Sequence, residues 1–203
     1  MDAGVLRKLI EQVCQAVIAE ADHLTDLDQA IGDGDHGINM KRGCEAVLAD
    51  IDNIAAKPLP EAMRAIGTQL VMTVGGASGP LYGTLFLSLG KELPVEPDLA
   101  AVARAVQAAL IAVKARGKSE LGQKTLLDVL APVADRLSSG PLNNLAELGV
   151  VATQAAEATI PVLATRGRAS FLGDRSVGHM DPGACSLALV IRTVVTALEG
   201  LKK

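Results

Sequence analysis

Residues 98–116 read DLAAVARAVQAALIAVKAR, and the placement of their apolar side chains decides the fold. Val102, Val106, Leu110 and Val113 recur at helical spacing, which sets them on one stripe of an α-helix with Arg104, Gln107 and Lys114 off it. The same spacing returns at Leu6, Leu9, Val13 and Val17, at Leu126, Leu130, Val133 and Leu137, and at Leu187, Ile191, Val194 and Leu198. Working outward from these stripes predicts eight helices, over 3–22, 36–55, 60–75, 77–91, 98–116, 124–138, 143–164 and 182–199. Residues 70–74 would also serve as a short strand. Two helix starts carry chemical signals. Thr125 with Asp128 resembles a capping box, and Asp181-Pro182-Gly183 sets an N-cap acid ahead of a proline at the first helical position. Short connections favour antiparallel neighbours in an up-and-down, all-α bundle.

Composition agrees. Of the 203 residues 49% are apolar but only 1% aromatic, so Leu, Val, Ile and Ala must fill the core, as close-packed helices allow. No fixed-period repeat or low-complexity linker divides the chain, and residues 1–203 are expected to form a single domain. A net charge of −4 without any basic run argues against a nucleic-acid partner. Cys14, Cys44 and Cys185 are odd in number and scattered, which suits small buried hydrophobes in a reducing compartment. The start runs from Met1-Asp2-Ala3 straight into charged, periodic sequence without a signal-peptide pattern. No apolar run approaches the roughly 20 residues needed to span a bilayer. A soluble, cytoplasmic protein with no membrane partner is expected.

Three connections, 25–37, 74–80 and 165–183, hold more glycine and charge than a connector needs, and each leads into a helix. The first contains Asp28, Asp33 and Asp35 among Gly32, Gly34 and Gly37. A solvated acidic turn is the bland interpretation. Against it, Asp33 and Asp35 are one residue apart and project to the same side of an extended loop, and the glycines let the carboxylates converge. Converging carboxylates repel unless a cation sits between them, and hard oxygen ligands on a tight loop suit Mg²⁺ with room left for phosphate.

Other motifs there are only apparent. Gly32-x-Gly34-x-x-Gly37 spells a dinucleotide fingerprint, but aspartates at the intervening positions would repel an unshielded pyrophosphate. Counted from Asp33 as an EF-hand loop, the sixth and twelfth positions are Ile38 and Cys44 instead of Gly and Glu. Gly117-Lys118-Ser119 ends like a P-loop, yet Ala112 stands where its first glycine belongs. The second connection, Gly75-Gly76-Ala77-Ser78-Gly79-Pro80, exposes backbone N–H groups at a helix start, where phosphate binds well, and would equally make a tight turn. The third carries Arg166, Arg168, Arg175 and His179. Carboxylates for Mg²⁺, backbone donors for phosphate and guanidinium groups for charge are together the parts phosphoryl transfer requires.

With these motifs in order along the chain, and with Arg116-Gly117-Lys118, Lys124-Thr125, Gly167-Arg168-Ala169-Ser170 and Gly178-His179-Met180-Asp181-Pro182-Gly183 added, the sequence resembles the L subunits of dihydroxyacetone kinases over essentially its whole length. The resemblance implies a barrel-like bundle of eight antiparallel amphipathic helices with the nucleotide at one end. It implies that Asp28, Asp33 and Asp35 bind two Mg²⁺ ions. His36, Gly37, Ile38 and Asn39 would lie against the phosphates and sugar of ADP or ATP, and Ala77 and Ser78 would contact phosphate. Gly117 and Leu126 would line the adenine pocket, where family members often have Met in place of Leu126. Arg168, Asp181, Pro182 and Gly183 would complete the nucleotide site. No residue is expected to act as a covalent or acid–base catalyst.

The partners implied are a K-type subunit that holds dihydroxyacetone and an M-type phosphotransferase-system protein that recharges bound ADP using phosphoenolpyruvate. Self-association into a homodimer is left open. Rival interpretations are an L subunit of an ATP-dependent kinase for another small ketose, and a non-catalytic regulatory protein that keeps the nucleotide as a structural ligand.

Overall fold

The computed structural model describes residues 2–201. Among them are ten α-helices, one 3₁₀ segment and no strand. The helices are α1 (Ala3–Ala19), α2 (Ala21–Ile31), α3 (His36–Ala49), α4 (Ile51–Ala55), α5 (Leu59–Thr73), α6 (Ser78–Glu92), α7 (Leu99–Gly117), α8 (Leu127–Ser138), α9 (Ala146–Glu157) and α10 (Pro182–Gly200), with the 3₁₀ segment Arg168–Ser176 before the last. Each of α1, α3, α5, α6, α7, α8, α9 and α10 packs on the next in that order, and α10 packs back on α1, so these helices close a ring. Outside that sequence, α2 packs on α3 and α10 and carries the 3₁₀ segment.

Small residues set how tightly the ring closes. The interior is filled by Leu6, Val17, Ile54, Val113, Leu127, Val129 and Leu187, with Ala105, Ala109, Ala134, Ala152 and Ala184 fully buried between them. At the α5–α6 contact the backbones touch: a Cβ on Gly67 would lie 2.8 Å from the Leu87 backbone nitrogen and 3.0 Å from the Gly83 carbonyl. Further along, Gly79 faces Val74 and Gly90 faces Pro60, so one helix climbs as the other descends and the pair is antiparallel. By length and composition α10 could cross a bilayer, but it packs on α1, α2, α8 and α9.

Several boundaries differ from those expected. The helix predicted over 3–22 ends at Ala19, and α2 occupies much of the stretch read as the loop 25–37. The core-facing positions of α2 are Ala21, Leu24, Asp28 and Ile31. Because an aspartate sits on the buried stripe, the apolar period is broken in the sequence where the helix continues. The helix predicted over 36–55 breaks at Asp50 into α3 and α4, and the one over 143–164 stops at Glu157, ahead of Pro161. Residues 70–74 are not a strand, since α5 runs to Thr73. In the loop 165–183 the 3₁₀ segment forms. The Thr125–Asp128 pair does cap: Asp128 Oδ2 accepts from the Thr125 amide at 2.7 Å, and Thr125 Oγ1 accepts from the Leu127 amide at 3.2 Å.

Replacing Gly67 with Ala should lower stability by about 1–3 kcal/mol, because backbone on α6 must retreat and overpacking outweighs the gain in helix propensity. Gly200→Ala, where a Cβ meets nothing within 4 Å, is the control and should not destabilise. Urea midpoints for both variants check this.

Candidate functional site

α2 delivers Asp28, and the turn that follows brings Asp33 and Asp35 back to it. A Cβ on Gly32 would fall 2.1 Å from Asp28 Oδ1, so only glycine lets the chain leave α2 this close to the carboxylate. Gly34, at φ 73, then takes the left-handed conformation that reverses the path. Asp28 Oδ2 accepts from the backbone N–H groups of Asp35 at 2.9 Å and His36 at 3.1 Å, and so caps α3 from a different helix. One oxygen from each of Asp28, Asp33 and Asp35 lies within 4.8 Å of the others. Asp28 is buried while Asp33 and Asp35 are open to solvent. Three oxygen donors of like charge at this spacing, one already oriented by two amides, fit a hard divalent cation such as Mg²⁺.

The glycine-rich connection meets this group. Gly75 packs directly on the buried Asn39 side chain, and a Cβ on Gly76 would lie 3.9 Å from the Asp35 carboxylate. Ala77 precedes the first turn of α6, and no side chain caps that helix. Ser78, its first residue, is linked to the first residue of α3: His36 Nδ1 is 2.9 Å from Ser78 Oγ. On its other side His36 Nε2 is 2.8 Å from Ser186 Oγ on α10, which is 2.7 Å from the Tyr82 hydroxyl. α3, α6 and α10 are thereby joined through one buried imidazole. Burial lowers the pKa of His36 against the opposing pull of Asp28 and Asp35. Gly37 presses against α2 beside Ala21 and Thr25, and Ile38 is exposed next to it.

From the third connection Arg168 reaches the carboxylates, its guanidinium 2.9 Å from Asp33 Oδ2. Arg166, Arg175 and His179 are exposed. Asp181 caps α10 as expected, accepting from the Ala184 amide at 2.7 Å, and its own amide donates to Thr159 Oγ1 at 3.0 Å. Pro182 is buried at the first turn, and a Cβ on Gly183 would lie 3.6 Å from that of the buried Leu126. Gly117 ends α7 against Ser119 and against Leu81 in the first turn of α6. Burial pushes the Asp181 carboxyl up to about 7, with Asp128 and Asp28 adding to the rise while the Ala184 amide and Lys124 oppose it.

Sequence reasoning missed Ser186 and Tyr82. One signal was available: Tyr82 is the only tyrosine of the chain and sits in an apolar helix, where a buried hydroxyl needs a partner. Ser186 stands in an apolar run with nothing to distinguish it.

A family pattern described as DAK2 domain matches residues 30–196. The chain is 43% identical over 173 residues to the ADP-binding subunit DhaL of PEP-dependent dihydroxyacetone kinase 1 from Listeria innocua, covering 85% of each chain. It is 38% identical over 188 residues to the ADP-binding subunit DhaL of the PEP-dependent dihydroxyacetone kinase from Escherichia coli, covering 89% of this chain and 90% of that one. Among solved structures, the dihydroxyacetone kinase of C. freundii in complex with AMP-PNP and Mg²⁺ superposes with a TM-score of 0.77 at 26% identity over 96% of this chain. This chain spans only 34% of that kinase's chain.

The raised Asp181 pKa has a definite sign for stability. The folded state holds this proton more tightly than the unfolded chain, whose aspartates titrate near 3.9, so its contribution is full below about pH 4 and is lost as pH rises toward 7. Asp181→Asn keeps a capping acceptor and removes the ionisation. In ligand-free protein it should therefore gain stability over wild type at pH 8, by roughly 1–3 kcal/mol, and little at pH 4. Thermal melts of both proteins across that range check the crossover.

Proposed function

The chain belongs to the DAK2 domain family, and from that premise we propose that it is the nucleotide-holding subunit of a dihydroxyacetone kinase that draws its phosphoryl group from phosphoenolpyruvate. The observation that carries this is the meeting of three different parts at one place. The carboxylates of Asp28, Asp33 and Asp35 lie within 4.8 Å of one another, the uncapped start of α6 lies beside them across His36 and Ser78, and the Arg168 guanidinium lies on Asp33.

In this reading Asp28, Asp33 and Asp35 hold two Mg²⁺ ions, which when bound neutralise phosphate charge and fix the orientation of the terminal phosphate. Backbone donors at Ala77 and Ser78 take phosphate oxygens, as an uncapped helix N-terminus favours. The run His36, Gly37, Ile38 and Asn39 lies along the phosphates and sugar, with His36 kept in place by Ser78 and Ser186. Gly117 and Leu126 bound the adenine. Asp181, Pro182 and Gly183 close the site from α10. Arg168, which reaches Asp33, brings positive charge to the place where the transferring phosphoryl group needs it. The chain supplies no covalent catalyst. Positioning and charge neutralisation are its contribution.

The ketose is held on a separate K-type subunit, and an M-type phosphotransferase-system protein recharges ADP to ATP in place. The cytoplasm, which supplies phosphoenolpyruvate, is the compartment this requires. Nucleotide held through metal on Asp28, Asp33 and Asp35 would leave slowly, which suits a cofactor that is recharged instead of exchanged.

Replacing Asp33 or Asp35 with Ala should abolish Mg²⁺-dependent ADP binding in calorimetry while helical content is kept. Wild-type affinity in either variant would remove the metal assignment. The purified chain alone should not phosphorylate dihydroxyacetone. With a K-type subunit, an M-type phosphodonor and phosphoenolpyruvate, it should turn over many times on the nucleotide it already carries. Turnover only on added ATP would favour an exchanging ATP-dependent kinase, and no transfer in either system would favour a regulatory nucleotide-binding protein.

A further inference from the structure

Lys124 is the most unusual charged residue of the fold. Its side chain is 1% exposed, its backbone is left-handed at φ 63, and among the described residues no carboxylate pairs with it. The ammonium instead donates into a cage of main-chain carbonyls: Thr159 at 3.0 Å, Ile160 at 3.4 Å, Val162 at 3.1 Å and Ser176 at 2.7 Å. Burial works against the ammonium, and although the nearby Asp181 charge favours it, no carboxylate bonds it directly, so an apolar side chain of similar size would cost the fold less. A lysine here is therefore better explained by what its bonds hold than by stability.

They hold both ends of the segment that carries Arg168. The turn 159–162 leads directly to residue 165, whose amide donates to the Gln123 carbonyl beside Lys124 at 3.4 Å. Ser176 closes the 3₁₀ segment, and its buried hydroxyl accepts from the Ala164 amide at 2.9 Å and donates to the Gly173 carbonyl at 2.8 Å. Between those two tied ends, Ala169 and Leu172 pack on Ile31 at the end of α2, and Arg168 reaches Asp33. Thr159 Oγ1 of the same turn accepts from the Asp181 amide, but the Asp181 side chain is held to α10 independently, by the Ala184 amide.

We propose that Lys124 is a positioning residue: its ammonium ties the turn 159–162 to Ser176 and so sets where Arg168 meets the metal-and-phosphate site. This rests on the nucleotide-binding reading above. A role limited to stability would lower the melting temperature and leave nucleotide affinity alone. A positioning role acts through Arg168 and vanishes when Arg168 is absent.

Calorimetry with Mg·ADP on wild type, Lys124→Met, Arg168→Ala and the double variant, all below their melting temperatures, separates the two. Lys124→Met should bind about tenfold or more weakly, the scale of a lost charged hydrogen-bond cluster, and the double variant should bind within about twofold of Arg168→Ala. If Lys124→Met does not fold, Ser176→Ala, which cuts the neighbouring tie, should weaken binding in the same non-additive way. Wild-type affinity in Lys124→Met, or in Ser176→Ala where that variant takes its place, would overturn the proposal, as would a double variant whose loss is the product of the single losses. Failure of wild type itself to bind Mg·ADP would overturn the nucleotide-binding reading, and this proposal with it.

Discussion

Mutual repulsion among Asp28, Asp33 and Asp35 is the constraint around which the rest of the site is arranged. The backbone forces their oxygens within 4.8 Å of one another, an arrangement that water alone screens poorly on the buried side. Each neighbouring feature answers that charge. Two amides at the start of α3 turn toward Asp28, Arg168 crosses to Asp33, and the glycine-rich connection into α6 comes to rest beside Asp35 and Asn39. A divalent cation would relieve the remaining repulsion and in turn present positive charge to phosphate. The same carboxylates draw in Arg168 and, with a cation bound, would draw in phosphate as well.

The helical ring makes that arrangement rigid. Its interior has almost no aromatic side chains to act as spacers, so alanine and glycine faces bring backbones into direct contact and neighbouring helices have little room to slide. α3, α6 and α10 all begin at the site, which gathers several helix N-termini where anionic groups are expected. The buried chain from Ser78 through His36 and Ser186 to Tyr82 links those three helices with hydrogen bonds in place of apolar packing. A shift of one helix start would therefore carry the others with it.

Much of this was legible in the sequence. α5, α6, α7, α8 and α10 follow uninterrupted apolar periods and begin or end within a few residues of where the pattern places them. Asp33 and Asp35 declare themselves by spacing, and Asp181 by its place before Pro182. α2 was hidden for a physical reason: its buried stripe contains Asp28, so the residue that makes the site also erases the helical signal. The end of α9 has no local signal, because the turn after it is held by Lys124, which is 35 residues away along the chain from Thr159. The His36–Ser186 contact spans 150 positions and has no local trace. Residues that form the site by chain proximity could be read from sequence, whereas those that brace it across the ring could not.

These carboxylates are proposed to bind nucleotide only through metal. Titrating the nucleotide-free protein with Mn²⁺, a paramagnetic substitute for Mg²⁺, in the presence and absence of ADP and following free ion by electron paramagnetic resonance tests it directly. Tight uptake of two ions per chain is expected when ADP is present, and much weaker uptake without it. Uptake that is the same with and without ADP, or ADP binding undiminished by a chelator, would contradict it.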